Sequence, residues 1–513
     1  MGLERYAALG PEWARARECA ARPEPTAIRV RGRPEATAET LRRLERQGVR
    51  LEPVAGLPGV YRVDASPVPL AETLEHWLGR FYIQQAVTAV AGLALGVEPG
   101  DRVLDLCAAP GGKTAHVADL LGAAGTVVAA ERSEKRIRGL LGNLYRLGVA
   151  NVVVVAADGR AFPDGARFDR VLVDVPCSGE GNLRRMGGRV RPQPRSFRAR
   201  VVRLQEALLR RAVALARPGG TVLYVTCTFA PEENEGVVDR VLRDAPVELE
   251  PVDLDVPHAP GLTAFEGRTF HPSLAQAWRL YPHHLDSGGL FVARLRRTDG
   301  AAPAPGPAPA GEGTARPAGA GAEPGWGPVP LRGPGHAAPE AEAARAVAQA
   351  VARLEEAFGV PRPRLARLRW LSRGGDLWVH TCDAWPVDAW GAGTWRFVSV
   401  GLRAVRRDPR EGWRPTNDLL RWLDADLRAR VVRLGVREWI HLLDGRGWPA
   451  PGVPDGTVAL ACDGDVVGRG RARQGRVYAE LPAGRARELR RVLERLASAG
   501  VTPVPSPGVP GRP

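Results

Sequence analysis

Between residues 99 and 230 short β-branched runs alternate with amphipathic stretches. The runs read VLDLC at 103–107, TVVAAE at 126–131, VVVVAAD at 152–158, FDRVLVDVP at 168–176 and GTVLYVTCTF at 220–229. Each predicts a strand, and their nearly unbroken apolar character predicts burial on both faces. The intervening segments 114–121, 133–147 and 196–216 carry helical spacing; in the last, Val201, Leu204, Leu208, Ala212 and Leu215 share one face. This alternation predicts a parallel α/β sheet with helices on both sides. Beyond it VELEPVDL and RLYPHHLDSGGLFVARL predict an added strand and an antiparallel hairpin turning at Asp286-Ser-Gly-Gly289. A hairpin closing a doubly wound sheet fits methyltransferases better than dehydrogenases.

Upstream, residues 1–95 hold a helical pattern at 36–47 and strand patterns at 27–30 and 60–63, which predicts a small α+β subdomain packed on the sheet. Residues 96–298 form the sheet domain. Downstream, 301–330 is almost wholly Ala, Pro and Gly, a composition that cannot bury a core and predicts a linker over 299–335. A second unit follows at 336–505, with a short tail at 506–513.

The chain has 513 residues, 44% hydrophobic and 25% charged, an ordinary globular balance over two or three domains. Long apolar runs and a leader-like N-terminus are both absent, which predicts neither membrane span nor secretory signal. Six cysteines without a C-x-x-C pair argue against a zinc knuckle, predict no metal, and suit a reducing cytoplasm. The formal charge is +15, and from residue 331 onward 30 Arg face 20 acids, so most of the surplus lies in the C-terminal unit. Such a surplus favours a polyanion, nucleic acid above all. Only Lys113 and Lys135 are lysines, against 70 arginines, so a retained lysine marks a place for a compact cation of adjustable pKa.

The chemistry-bearing segments fall at the strand ends. Asp105-Leu-Cys-Ala-Ala-Pro-Gly-Gly-Lys-Thr114 joins the first strand to its helix, where open α/β sheets bind ligands. Gly111 and Gly112 allow close backbone approach, and the helix N-terminus favours a carboxylate. The loop matches neither a dinucleotide nor a triphosphate fingerprint. Glu131 and Asp158 end the next two strands, one suited to a ribose diol and the other to an adenine amino group; either alone equally suits a turn or a helix cap. With the glycine loop they favour an adenosine-containing cofactor. The fourth strand ends Asp174-Val-Pro-Cys-Ser-Gly-Glu-Gly181 and the fifth runs into Thr226-Cys-Thr-Phe-Ala-Pro-Glu-Glu-Asn-Glu235. Adjacent strands would turn Cys177 and Cys227 into one pocket beside an Asp and a Lys, where a neighbouring cation raises the thiolate fraction.

At these residues the chain resembles the Sun/Nop-type family of RNA cytosine-C5 methyltransferases, in its bacterial small-subunit rRNA branch. DLCAAPGGKT, DVPCSGEG and TCTFAPEENE are similar to three family motifs in order and spacing, and the lead-in FYIQQ and the closing hairpin add to the match over about 26–297. The resemblance implies a Rossmann-like S-adenosylmethionine-dependent methyltransferase sheet. It implies Cys227 as the nucleophile toward cytosine C6, Cys177 as the cysteine assisting release, Asp174 on the cytosine edge and Lys113 beside the thiolate. It also implies a cofactor site made of Cys107, Ala108, Ala109, Pro110, Gly111, Gly112, Lys113, Glu131, Asp158 and Asp174. A DNA enzyme of this chemistry would lack the second cysteine, which favours RNA.

The chain departs from the family in places. Val175 stands where Ala is usual, adding methyl groups that would tighten the pocket. Eight arginines fall between 184 and 203, among them Arg184, Arg185 and Arg189, which are read here as phosphate contacts, with a solvated helix face as the alternative. The segments 394–423 and 464–484 are similar to the tail of the bacterial rRNA branch, with its PUA-like RNA-binding barrel. There Tyr478-Ala-Glu-Leu-Pro482-Ala replaces a lysine-bearing pattern, which weakens the RNA contact that pattern implies. Trp370, Trp378, Trp385, Trp390 and Trp395 suit a core better than base stacking. The N-terminal region leaves no room for the helical domain preceding a sister rRNA enzyme. The expectation is a monomer acting on rRNA in the assembled 30S particle; the alternatives are tRNA as substrate, or a ribosome-assembly factor that binds RNA without catalysis.

Overall fold

The computed structural model describes residues 3–164, 167–187, 193–299, 340–382, 396–462 and 464–498. The Ala/Pro/Gly segment, the tail at 506–513, Arg189, Trp385, Trp390 and Trp395 fall outside the described residues.

In the N-terminal region α2 (Pro34–Arg46) packs on an antiparallel sheet of β1 (Ala27–Val30), β2 (Arg50–Pro53), β3 (Val60–Ala65) and β4 (Phe81–Gln84), in the order β2-β3-β1-β4. Trp13, Ala16 and Ala20 of α1 (Pro11–Ala20) instead share a core with Phe229, Phe265 and Tyr281. The short helix α3 (Leu74–Trp77) precedes β4, and α4 (Thr88–Ala94) leads into the central domain.

The central sheet is built on β5 (Arg102–Asp105), β6 (Thr126–Glu131), β7 (Val152–Ala156), β8 (Phe168–Asp174) and β9 (Ala216–Thr226). Their order is β7-β6-β5-β8-β9, all parallel, so the chain reverses its winding between β5 and β8. Helices α5 (Gly112–Leu121) and α6 (Glu134–Leu147) cover one face, and α7 (Arg195–Leu215) and α8 (Glu235–Leu242) the other. The strands lack polar alternation for this reason. Val127, Ala129, Val152 and Val154 pack with α5 and α6, while Val128, Ala130, Val153 and Val155 pack with α7 and α8.

Beyond β9 the sheet turns antiparallel. Strands β10 (Val247–Glu250) and β11 (Ala259–Pro260) are followed by a two-residue pair, β12 (Ala264–Phe265) and β13 (Arg268–Thr269). Then β14 (Trp278–Leu280) and β15 (Leu290–Arg297) form the expected hairpin, with Leu280 opposite Leu290. The connection is longer than a tight turn, because the helical turn α9 (Pro282–Leu285) occupies it before Asp286 adopts a left-handed φ of 48°.

In the C-terminal unit α10 (Glu340–Phe358) and α11 (Arg362–Ala366) pack on a sheet of β16 (Arg369–Arg373), β17 (Asp376–His380), β19 (Leu402–Asp408) and β20 (Gly412–Pro415). Trp370 and Trp378 are buried, as expected of core residues. A second sheet, in the order β21-β23-β24-β25-β22, contains β21 (Val431–Leu434), β22 (Trp448–Pro449), β23 (Gly456–Cys462), β24 (Asp465–Arg473) and β25 (Arg476–Ala479), with α12 (Asn417–Trp422), α13 (Val436–Leu443) and α14 (Ala483–Ser498) beside it.

The intervening strand β18 (Phe397–Val400) joins neither of these sheets. It pairs antiparallel with β7, Val400 opposite Val153, and so extends the central sheet by one strand. The sequence reading treats the second unit as a body beyond a linker, whereas backbone hydrogen bonds tie it to the central domain. Leu74 and Trp77 also share a core with Trp439, Leu460 and Leu489, and Arg43 and Arg80 both pair with Asp465.

Gly401 closes this seam. Its N–H donates to the Val152 carbonyl at 2.8 Å, its φ is +60°, and a Cβ there would run into the Val379 and Ala150 carbonyls. Gly401→Ala should therefore cost about 3 kcal/mol, from left-handed strain and steric overlap together, read as a lower denaturant midpoint for the full chain.

Candidate active site

The site forms where the winding reverses. At the end of β5 the chain loops through 106–111 into α5. Gly111 (φ 102°) occupies the N-cap position without a side-chain cap, which leaves the first N–H groups of α5 facing outward. The two glycines also serve packing: a Cβ would meet Leu140 Cδ1 at 2.7 Å from Gly111 and the Tyr82 ring at 2.7 Å from Gly112. Asp105 lies beneath the loop, accepting from Thr114 Oγ1 at 2.7 Å and from the Cys107 N–H at 3.2 Å. Burial, reinforced by Asp174, lifts its carboxyl to about 7 in spite of these bonds.

Lys113 projects from the first turn of α5 and donates through Nζ to Asp174 Oδ2 at 2.8 Å, joining the helix to the end of β8. Burial works against the ammonium, but the Asp174 carboxylate outweighs it and raises the lysine's pKa. Cys177 follows β8 and Cys227 follows the neighbouring β9, so adjacency of the strands brings their sulfurs to 3.2 Å. Both are free thiols. Asn182 Nδ2 stands 3.4 Å from Cys227 Sγ.

The two thiols are not equivalent. The contact with Cys177 comes first among the causes that hold the Cys227 thiol below its ordinary range; Lys113 and Asn182 act in the same direction, while burial and Asp174 oppose them. The same contact, together with burial, pushes Cys177 well up. Of the two, Cys227 is the sulfur on which a thiolate is favoured.

The loop carrying Cys177 is fixed by groups that the sequence reading missed. Glu233 Oε2 accepts from the Ser178 N–H at 2.9 Å and from Gln205 Nε2 at 3.0 Å, and Gln205 also donates to the Pro176 carbonyl at 3.0 Å. Gly181 N–H donates to the Cys227 carbonyl at 2.8 Å and its own carbonyl accepts from Gly289 N–H at 2.9 Å. A Cβ on Gly181 would strike the Gly289 carbonyl, which explains the second glycine of S-G-E-G. Glu233 falls inside the quoted TCTFAPEENE and Tyr82 inside FYIQQ, so their segments were in view. Asn182 and Gln205 carried no such signal.

On the other side of the loop, Glu131 is 3% exposed at the end of β6; it accepts from the Ser133 N–H at 2.9 Å and pairs with Arg136 at 3.1 Å. Arg136 also donates to the Ala109 carbonyl at 2.6 Å, linking this acid to the glycine loop. Asp158 lies beyond β7, where Arg160 takes both its oxygens, at 3.1 and 2.6 Å, and holds its carboxyl below the usual range. Burial first, then Asp105, Asp174 and Glu131, push Cys107 well up, so it remains a neutral thiol. Hydrogen bonds and charge thus link Cys107 through Lys113, Glu131 and Asp174 at the ends of β5, β6 and β8, while Asp158 beyond β7 is held by its own arginine.

Two expectations change. Arg184 is not available to phosphate: its side chain is 1% exposed and donates to the carbonyls of Arg22, Pro23 and Ser287 and to Asp286, bracing the hairpin against the N-terminus. Arg185 is exposed but paired with Glu24 at 3.0 Å. Val175 does not tighten the pocket; it is buried in the core beneath α7. Among the described residues, Glu12, His283 and His284 form the one group with metal-capable atoms close together. His284 Nδ1 accepts the Tyr281 N–H at 3.1 Å, so the ring proton sits on Nε2 facing Glu12 at 3.1 Å, a hydrogen-bonded clamp between α1 and α9.

A doubly wound sheet with an antiparallel hairpin at one edge and a glycine loop opening α5 defines a Rossmann-like S-adenosylmethionine-dependent methyltransferase fold. The model of the family described as 16S rRNA methyltransferase RsmB/F matches residues 92–296. Ribosomal RNA small subunit methyltransferase F of Vibrio cholerae is 30% identical over 475 residues, covering 90% of this chain and 91% of that protein. The chain belongs to this family. The human 28S rRNA (cytosine(4447)-C(5))-methyltransferase is 35% identical over 288 residues, and the Erwinia tasmaniensis small subunit methyltransferase F is 39% identical over 250. These matches cover 55% and 48% of this chain, and 35% and 50% of those relatives' own lengths. A crystal structure of a methyltransferase homolog protein from Pyrococcus horikoshii is 31% identical with a TM-score of 0.52, over 57% of this chain and 93% of that one.

The asymmetry between the thiols predicts alkylation behaviour. At neutral pH iodoacetamide should modify Cys227 at least tenfold faster than Cys177 or Cys107, read by peptide mass spectrometry. Lys113→Met should slow it, because removing the ammonium leaves Asp174 to oppose the thiolate.

Proposed function

We propose that this chain transfers a methyl group from S-adenosylmethionine to C5 of a cytosine in small-subunit rRNA, through a transient bond between Cys227 Sγ and cytosine C6. The observation that carries this reading is the 3.2 Å contact between two thiols of opposite tendency beside the Lys113–Asp174 pair.

The residues around the glycine loop suit the cofactor. The uncapped start of α5 suits a carboxylate, Glu131 a ribose diol and Asp158 the adenine side. Bound there, S-adenosylmethionine supplies an electrophilic methyl on a sulfonium. The chain supplies the rest. Cys227 thiolate adds to C6, and the displaced π electrons make C5 nucleophilic enough to take the methyl. Asp174 holds the N3 and 4-amino edge: it accepts from the amino group and, when N3 takes a proton from solvent as C6 is attacked and gives it back as the ring is restored, from that N–H as well, which favours the addition. A solvent base then takes the C5 proton, the electrons of that C–H bond restore the C5–C6 double bond, and the C6–S bond breaks so that Cys227 departs as thiolate with Cys177 assisting release. Lys113 offsets negative charge at the thiolate throughout.

Small-subunit rRNA is preferred because the match to the Vibrio cholerae protein runs nearly end to end. A flipped-out cytosine looks alike to the pocket in rRNA and tRNA, so substrate choice rests on the remainder of the chain. The protein acts in the cytoplasm as a monomer on the 30S particle. A complete set of Cys227, Cys177, Lys113 and Asp174 disfavours a purely structural assembly role.

Labelled-methyl transfer to purified 30S particles and to tRNA tests this. Incorporation is expected in 30S and should fall roughly a thousandfold in Cys227→Ala. Labelling of tRNA alone would overturn the substrate. Cys177→Ala should instead accumulate a protein–RNA adduct that survives denaturing electrophoresis; no adduct would reassign the two thiols. The rate should rise with pH through the ionisation of Cys227, and Lys113→Met should move that limb to higher pH, since the thiolate loses its cation.

A further inference from the structure

A cavity of about 730 Å³ opens where α6, the end of α3 and the C-terminal unit meet. Arg146, Arg403, Arg406, Arg421, Arg469 and Arg485 line it, opposed by Asp418 and Glu480 alone among its charged walls. Glu480 is already engaged by Arg414 and, at 3.0 Å, by Arg469. Asp418 reaches only to 3.8 Å from Arg421, Glu488 to 3.7 Å from Arg485, and Arg403 and Arg406 share Asp376 at 3.6 Å each.

The inner arginines are held by carbonyls and an aromatic ring more closely than by these carboxylates. Arg146 donates to the His76 carbonyl at 2.9 Å, Arg421 to the Arg146 carbonyl at 2.8 Å and Arg485 to the Trp77 carbonyl at 2.9 Å. Guanidinium carbons of Arg485 and Arg421 lie 3.8 and 5.6 Å from the centre of the Trp77 ring. Such contacts fix direction without cancelling charge. Burial and then the neighbouring Arg421 pull Arg485 down to about 10; burial does the same for Arg146, so both remain cations at neutral pH. Like charges gathered in a cleft favour an anion, and guanidinium forks match phosphate oxygens.

The cleft adjoins the glycine loop that opens α5. Asn143 on α6 donates to the Pro110 carbonyl at 2.9 Å. Arg146, one turn on, stands 5.9 Å from the Tyr82 ring that backs Gly112. Arg403, Arg406, Arg421, Arg469 and Arg485 belong to the C-terminal unit, so the cleft exists only because β18 and its neighbours dock on the central domain.

We propose that this arginine-lined cleft is a phosphodiester-binding subsite for the RNA strand flanking the target cytosine. It rests on RNA being the substrate.

The test uses the full chain and Arg403→Gln/Arg406→Gln, whose side chains are 45% and 61% exposed and can change without disturbing the core. Fluorescence anisotropy with a labelled oligouridylate gives the slope of log affinity against log salt. Two lost phosphate contacts should flatten that slope by about 1.4. Arg485→Gln should weaken binding further. In methyl transfer to 30S particles KM should rise about tenfold with kcat held. An unchanged slope and KM would overturn the subsite. Retained RNA affinity together with polyglutamate binding that the substitutions abolish would overturn it in favour of an acidic protein partner. If the wild-type chain binds oligouridylate with the expected slope change in the variant yet methylates no RNA, the catalytic reading fails while the subsite stands.

Discussion

The sulfur–sulfur contact of Cys177 and Cys227 is the constraint on which the site turns, and it is a property of strand order. The thiols are fifty residues apart in the chain, yet each leaves the same end of adjacent parallel strands. Only the reversal of winding between β5 and β8 brings the helix carrying Lys113 over those ends. The electrostatics then follow from proximity. A lysine with an aspartate partner, a second thiol in contact and an amide favour the anion on one sulfur over its neighbour. Gln205, Glu233 and Gly181 hold the loop that keeps this spacing, although none need touch a reacting atom.

Much of this was legible because it is local. The apolar runs marked β5 to β9 to within a few residues, since strands buried on both faces cannot hide their composition. The cysteines could be paired because their motifs sit at strand ends, where a parallel sheet gathers its functional groups. The hairpin at 278–297 was legible as well, apart from the helical turn in its loop.

What stayed hidden depends on contacts between distant segments. Arg184 looked like one of a run of solvated cations, and no local pattern reveals that carbonyls at 22 and 23 and the carboxylate of Asp286 would enclose it. Val175 looked like a pocket wall, yet its place in the core depends on α7 lying above it. The attachment of β18 to β7 joins residues more than 240 positions apart across a segment whose composition suggested separation. Arginine content points to a polyanion, but not to which arginines face outward and which brace the fold.

The docking of β18 has a bearing on how the catalytic half could exist alone. Without that strand, β7 would present its valine-rich flank, with every amide along one side seeking a partner. An unprotected, flat and apolar border of this kind recruits other chains. The C-terminal unit thus also covers the β7 edge of the catalytic sheet, and a fragment ending at the Ala/Pro/Gly segment would leave that edge bare.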